Sequence, residues 1–320
     1  MTEFQPALAE NYTTANRPTD VNIHYIVIHA TELSYQETID RFQSSNHVSA
    51  HTVIRQQDGH RAEMVAPENI AWHAGNWDIN CRSLGIEQEA YVEDDASYTA
   101  AMIDALVTQI LEWSQRYKIP LNRAHLLGHD NVPAPTPEAV AQMHVDPGWY
   151  FDWEKLFLKL GITADPYSPV KVGQGIRITS NYADLLQQPS TNSQKIGSGV
   201  DKMSHRVSYG QEFVCVAQQG DWIAIIFDGQ QAWLRRSQVV GVQRPILTVG
   251  DKPLALYGST QLGAPAIATL VSGEQYVISD QLAGIKTTDA MGHLTAETTG
   301  NLFDQIWYNH RIGYVKVSKK

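Results

Sequence analysis

Cysteine is nearly absent from this chain. Cys81 and Cys215 are the only two in 320 residues and show no CxxC spacing, which argues against a disulfide framework and against a thiolate zinc site. Basic residues are outnumbered too. The 24 Lys and Arg against 34 Asp and Glu leave a formal net charge of −10 with no basic cluster, so the electrostatic footprint of a nucleic-acid binder is missing. No apolar run approaches the roughly 20 residues that cross a bilayer, which argues against membrane insertion. The opening Met1-Thr-Glu-Phe-Gln-Pro6 has neither the basic region nor the apolar stretch of a secretory signal. It therefore reads either as cytoplasmic at synthesis or as already processed, and the sequence leaves both open. What the chain does have is length for two or three domains and a 43% hydrophobic content, enough to build their cores.

The N-terminal half alternates strand and helix patterns. Ser34 with Glu37 forms a capping box, after which Tyr35, Ile39 and Phe42 make one apolar helical face. From about Thr99 to Tyr117, Met102, Ile103, Leu106, Ile110, Trp113 and Tyr117 recur at helical spacing, and Ile119-Pro120 marks the stop. A third helix is expected from Trp153 to Leu160, ending at Gly161. The run Ile23-His-Tyr-Ile-Val-Ile-His-Ala-Thr31 is apolar, β-branched and of strand length, as in a central strand covered on both faces.

His29 falls at the carboxyl end of that strand, where ligands gather in open α/β sheets. Downstream lie Gly128-His129-Asp130 and His144-Val-Asp-Pro-Gly148. Imidazoles plus a carboxylate are the ligands of a hydrolytic three-ligand zinc site, with water in the fourth position. In Ser83-Leu-Gly-Ile-Glu-Gln-Glu-Ala90, Leu84, Ile86 and Ala90 alternate with Glu87 and Glu89, so one carboxylate could reach the water of such a site.

These pieces resemble the zinc-dependent N-acetylmuramoyl-L-alanine amidases of type 2, which share their fold with the peptidoglycan recognition proteins. The resemblance covers about Val21 to Gly161. It rests on Ile26-Val-Ile-His29-Ala-Thr31, Val48-Ser-Ala-His51-Thr-Val-Ile54, Ala71-Trp72-His73-Ala-Gly75, Ser83-Leu-Gly-Ile-Glu87, Leu127-Gly-His129-Asp130 and Asp146-Pro-Gly148, in that order. It implies that His29, His129 and Asp146 bind Zn2+ and that Glu87 is the general base and acid. His144 stands where many relatives have a lysine, and its implied role is to stabilise the oxyanion; the other reading is a supporting or alternative zinc ligand. Trp72 and His73 are expected to line the substrate groove. Glu89 is expected to be a solvated or groove-lining carboxylate, and His51 a structural support. His24, His47, His60, His125, His205, His293 and His310 match no ligand position and are expected to be ordinary surface or core histidines.

After Gly161 the composition changes. Ala164-Asp-Pro-Tyr-Ser-Pro169 reads as a linker, followed by short β-rich runs between turn residues. Gly210-Gln-Glu-Phe-Val-Cys-Val216 parallels Gly273-Glu-Gln-Tyr-Val-Ile-Ser279, and Ala232-Trp-Leu-Arg235 parallels Gly313-Tyr-Val-Lys316, with the later unit longer between Gly284 and Asn301. These units resemble bacterial Src-homology-3-like barrels. The expected fold is thus α/β: a catalytic domain (residues 1–163) with a central mixed β-sheet flanked by helices, then two small all-β barrel-like domains (164–243 and 244–320).

The function expected from the resemblance is hydrolysis of the amide between the muramyl lactyl group and L-alanine, with peptidoglycan glycan strands and stem peptides as the partner. The alternatives are a muropeptide recognition protein that does not cut, and a structural wall-interaction protein. Retention of all three ligand candidates together with Glu87 favours the enzyme. The tail units would bind wall peptides and raise the local concentration of substrate, or else pack against the catalytic domain. A secreted or wall-associated location is expected, or a cytoplasmic one until release, as for a phage lysin; oligomeric state is open.

Overall fold

The structure, a computed structural model, describes residues 2–163, 168–197, 201, 203–287 and 297–317. In the N-terminal half the strands are β1 (Thr2–Phe4), β2 (Tyr12–Thr13), β3 (Tyr25–Ala30), β4 (Thr52–Ile54), β5 (Arg61–Glu63), β6 (Ile70–Ala71), β7 (Ser83–Gln88) and β8 (Leu126–Gly128). Strands β2 and β6 pair as a short ribbon, and the other six form one sheet in the order β1-β5-β4-β7-β3-β8. Every pairing in that sheet is parallel except β4 with β5. The expected mixed sheet is therefore present.

Alternation along the strands decides what covers each face. Ile26, Ile28, Leu84, Ile86 and Leu126 pack on one side with helices α3 (Ala100–Tyr117) and α4 (Trp153–Lys159). Tyr25, Val27 and Leu127 point to the other side, into a core shared with Trp307, Ile312 and Tyr314. Helices cover the first face, as expected, but the second is divided. Helix α1 (Tyr35–Phe42) covers the β4–β5 edge through Tyr35, Ile39 and Phe42, C-terminal strands cover the amino-terminal ends of β3 and β8, and the carboxyl ends are left facing a cleft.

Local sequence accounts for the helix limits. Ser34 and Glu37 make both halves of the capping box at α1. Thr99 caps α3 by accepting from Met102 N–H, and Lys118 ends it in the left-handed conformation at φ 60°. Helix α2 (Trp77–Arg82) carries no sequence signal of the kind that revealed the others. At six residues it is too short for a 3.6-residue period to register, and it is held instead by Asn76, whose side chain accepts from Asp78 and Ile79 N–H.

Beyond residue 167 all the sheets of the described residues are antiparallel. Pairing runs within residues 175–242 and within residues 246–316, where six strands join. The longest hairpin there is Gln275–Lys286 with Glu297–Tyr308. The extra length expected between Gly284 and Asn301 falls at its far end, of which residues 288–296, including His293, lie outside the described residues; so do residues 164–167 of the expected linker.

A buried polar seam fixes this half to the sheet. Tyr25 Oη donates to Gln305 Oε1 at 2.7 Å and lies 2.9 Å from Tyr314 Oη, and Gln305 Nε2 donates to the Ala124 carbonyl at 2.9 Å. Arg82 pairs with Asp78 at 2.7 Å and donates to Thr260 Oγ1 and the Ala283 carbonyl at 2.9 and 2.7 Å. Buried groups of this kind are costly unless partnered, so they hold the two halves in one arrangement.

Candidate metal centre

The site begins with strand register. β3 and β7 run parallel with His29 directly opposite Glu87, so both side chains leave the sheet on the same face, and His29 Nδ1 lies 4.0 Å from Glu87 Oε1. Strand β8 ends at Gly128, and a single helical turn, His129–Asn131, brings the second imidazole alongside. Its Nδ1 is 3.0 Å from His29 Nδ1. The third group comes from the loop that follows. Asp146 Oδ2 is 3.4 Å from His29 Nδ1, and its Oδ1 is 3.2 Å from His129 Nδ1.

The glycines of the two motifs are packing requirements. A Cβ on Gly128 would sit 2.2 Å from Asp130 Oδ1 and 2.7 Å from Pro147 Cδ, and one on Gly148, at φ +78°, would sit 2.3 Å from Val92 Cγ1. Without side chains there, the two loops can meet. Asp130 N–H donates to the Asp146 carbonyl at 2.8 Å, and Ala30 N–H donates to Asp146 Oδ2 at 3.3 Å.

Each of the three residues offers one ligand atom to a metal ion, and all three are buried. Burial alone would raise the Asp146 carboxyl, but His129 and His29 outweigh it and hold the group well below the usual carboxylate range. It is therefore an anion between two imidazoles. Burial, with repulsion from Asp146, pushes Glu87 up to about 8, and its Oε2 is buried with no hydrogen-bond partner.

His73 stands on the cleft wall at 6% exposure and has a second connection that the sequence did not reveal. Its Nδ1 is 2.9 Å from His29 Nε2, and its Nε2 is 3.1 Å from Ser83 Oγ. Burial, followed by the neighbouring His29, pushes His73 well below its ordinary value, so it is neutral. A lone pair on His29 Nδ1 then requires the proton on Nε2, donated to His73 Nδ1, and this leaves His73 to donate from Nε2 to Ser83. Gly85 makes room for the ring, since an added Cβ would lie 2.6 Å from His73 Cγ. Gly85→Ala is expected to cost about 1–3 kcal/mol through overpacking and to weaken metal retention, read by thermal unfolding and by metal titration; wild-type values for both would contradict this account of His73.

Trp72 also lines the cleft, with its ring stacked at 27° on His47 and its Nε1 donating to Thr13 Oγ1 at 2.9 Å. His144 sits at the mouth, 56% exposed, with its ring parallel to that of His129 at 4.0 Å and its Nδ1 3.6 Å from Asp146 Oδ1. Burial of its inner edge and the neighbouring His129 lower its proton affinity. Glu89 departs from the expectation of a solvated or groove-lining group. Its carboxylate accepts from Tyr35 N–H at 2.9 Å and Gln56 N–H at 2.7 Å, so it anchors the start of α1. His51 is the structural support expected, its Nδ1 accepting from Gly85 N–H at 3.0 Å.

The cleft encloses about 670 Å³, and Arg41 is the one Lys or Arg among the residues lining it. Sequence reasoning missed Arg41, and it missed Arg311, which reaches the site loops from far along the chain. Arg311 donates to the carbonyls of Asp130, Val132 and His144 at 2.7, 3.0 and 3.4 Å. Neither carries a motif that would have marked it.

Among known proteins, the family described as N-acetylmuramoyl-L-alanine amidase matches residues 19–149. N-acetylmuramoyl-L-alanine amidase A of Achromobacter lyticus is 32% identical over 165 residues, covering 48% of this chain and 90% of that protein. Among solved structures, a selenomethionine derivative of AmpD is 26% identical over 50% of this chain and 94% of that one, with a TM-score of 0.41. AmiD from E. coli, in complex with anhydro-N-acetylmuramic acid-L-Ala-D-gamma-Glu-L-Lys as substrate, is 24% identical over 47% of this chain and 66% of that one, with a TM-score of 0.36.

Proposed function

We propose that this chain, which belongs to the N-acetylmuramoyl-L-alanine amidase family, works with a zinc ion held by His29, His129 and Asp146 and with Glu87 as its general base. The bond it hydrolyses is the peptidoglycan amide between the lactyl group of N-acetylmuramic acid and the L-alanine of the stem peptide.

The donor geometry carries the zinc reading. Ligand bonds of about 2.0–2.1 Å in a tetrahedron put the ligand atoms about 3.3 Å apart. Here the two imidazole nitrogens are 3.0 Å apart, His129 is 3.2 Å from Asp146 Oδ1 and His29 is 3.4 Å from Asp146 Oδ2, so a small turn of the carboxylate presents one oxygen to both. Two imidazole nitrogens and one carboxylate suit zinc and leave a fourth position open. The hydrogen-bond chain from His29 through His73 to Ser83 supplies the orientation that ligating histidines ordinarily need.

The chemistry such an ion supplies is Lewis acidity, which brings a water's pKa to about 7 and polarises the scissile carbonyl. Glu87, with one oxygen unpartnered, takes a proton from the attacking water and returns it to the departing L-alanine nitrogen. His144, neutral at the mouth of the cleft, donates an N–H toward the oxygen on which negative charge develops. Trp72 and His73 wall the groove, and Arg41 offers a positive charge to carboxylates of the stem peptide. The C-terminal strands belong, in this reading, to two bacterial Src-homology-3-like modules (residues 164–243 and 244–320) that hold the enzyme at the wall, after export or release. With a net charge of −10, anionic wall polymers repel the chain as a whole, and attachment relies on local hydrogen bonds and aromatic contacts.

Mass spectrometry of muropeptides after digestion tests the reading. The zinc-loaded protein is expected to release stem peptides with free L-alanine amines. Chelation should abolish the release, and added zinc should restore it. Intact glycopeptides from the zinc-loaded protein would point instead to a recognition protein.

A further inference from the structure

The two strands that deliver His29 and His129 each carry a second histidine at the opposite end. His24 directly precedes β3 and His125 directly precedes β8, roughly 16 Å and 13 Å of extended chain from His29 and His129. Neither matched any motif. Both point to one carboxylate from the C-terminal half: His24 Nε2 lies 2.6 Å and His125 Nε2 3.2 Å from Asp280 Oδ2. The two imidazole rings are 4.8 Å apart between centroids.

The backbone is built to aim Asp280 there. The pairing of Gln275–Lys286 with Glu297–Tyr308 shifts register twice, between Ile278 and Asp280 and again between Ala283 and Ile285, and Asp280 is the first paired residue after the first shift. An irregularity of this kind re-aims side chains at a defined point.

The tautomer of His125 follows from its neighbours. Asn122 Oδ1 accepts from Ala124 N–H at 2.9 Å, which identifies that atom as the amide oxygen, and it lies 2.9 Å from His125 Nδ1. Nδ1 must therefore be the donor. A neutral His125 then directs the lone pair of Nε2 at a carboxylate oxygen 3.2 Å away. Two electron-rich atoms face each other unless a cation lies between them, either a second proton on the ring or a metal ion.

We propose that His24, His125 and Asp280 form a second divalent-cation site, with the His2Asp donor set that suits zinc, and that the ion pins the C-terminal strands to the amino-terminal edge of the sheet. His24, His125 and Asp280 each offer one ligand atom, all within 4.8 Å of one another. Seating zinc requires the His24 to Asp280 separation to open from 2.6 Å by about 0.7 Å, to the ligand spacing of a tetrahedral site. The His24 and Asp280 side chains, 23% and 26% exposed, have room for that movement and give the ion a route from solvent.

The test is zinc stoichiometry of the full chain, dialysed against zinc and measured by inductively coupled plasma mass spectrometry. Wild type is expected to hold two equivalents, Asp280→Asn one, Asp146→Asn one, and the double variant none. Asp280→Asn should retain amidase activity, which separates this site from the first. In the Asp146→Asn background zinc should still raise the unfolding temperature, and His24→Gln, a change at a partly exposed position, should remove that rise. One equivalent in wild type, or two in Asp280→Asn, would overturn the proposal; so would a missing zinc response in Asp146→Asn, which would assign the gap to a proton on His125.

Discussion

Glu87→Gln is expected to lower kcat by about 10²–10⁴, the usual contribution of a positioned general base, while zinc stoichiometry stays at the wild-type value. The amide keeps the shape of the carboxylate but cannot take a proton. Because Glu87 lies opposite His29 in the strand register and supplies none of the three ligand atoms, loss of the base and loss of the metal are separable. Stem-peptide release on a soluble muropeptide, read beside metal content, tests this. A variant with wild-type kcat would remove Glu87 as the base. Stability gives a second, opposite readout in the metal-free protein. Burial raises the folded-state pKa of Glu87 from 4.5 to about 8, so the folded protein pays no charge-burial penalty below about pH 4.5 and loses stability as pH rises through about 8. Gln has no charge to bury. Metal-free Glu87→Gln should therefore unfold at a higher temperature than wild type near pH 8, with the gap closing towards pH 4.5. An inactive yet more stable variant is the signature of a group held for chemistry at a cost to the fold.

Much of this site was legible in the sequence, and the reason is physical. The unbroken apolar run of β3 marks a strand covered on both faces, with His29 at its carboxyl end, and the period-two alternation of β7 sets Glu87 apart from Leu84 and Ile86, so the positions of both residues on their strands follow from pattern. The capping box at Ser34 and the apolar stripe of α3 are local signals as well. Glu89 is different: two residues from Glu87, it has the same alternation, yet its carboxylate is taken up by the backbone N–H groups of Tyr35 and Gln56. Periodicity assigns a face but not a hydrogen-bond partner. His73 was found as a wall residue and not as the group that orients His29, because that role depends on a ring packed over Gly85. His24 and His125 were set aside since their third partner, Asp280, lies 256 residues from His24 in sequence. The same limit applies to Tyr25, whose place in a core with Trp307 and Tyr314 no local pattern announces.

Arg311→Ala is expected to cost about 3–5 kcal/mol, as when one member of a buried ion pair is removed, and to lower kcat even on a small soluble muropeptide. Arg311 is 7% exposed and pairs with Asp201 at 3.1 Å. Its other N–H groups go to the carbonyls of Asp130, Val132 and His144. Truncation leaves Asp201 without that charge and removes a donor from each of three carbonyls in the loops that carry His129 and His144, where unmet buried acceptors cost about 1–3 kcal/mol each. Asn131 ties the same loop to the His310 carbonyl at 2.9 Å, so the C-terminal half braces the site from two adjacent residues. A C-terminal half that braces the site as well as tethering the enzyme and one that only tethers it make opposite forecasts. A tether that only holds the enzyme at the wall would leave turnover of a soluble fragment untouched when Arg311 is cut back, and residues 1–163 alone would fold and work. A brace predicts one cooperative unfolding transition for the whole chain, a lower unfolding temperature and lower kcat for Arg311→Ala, partial recovery in Arg311→Lys, and an insoluble or inactive 1–163 fragment, because Tyr25, Val27 and Leu127 would lose the core they share with Trp307, Ile312 and Tyr314. Calorimetry and soluble-substrate kinetics on the same four proteins decide between them; two independent transitions with an active 1–163 fragment would sink the brace.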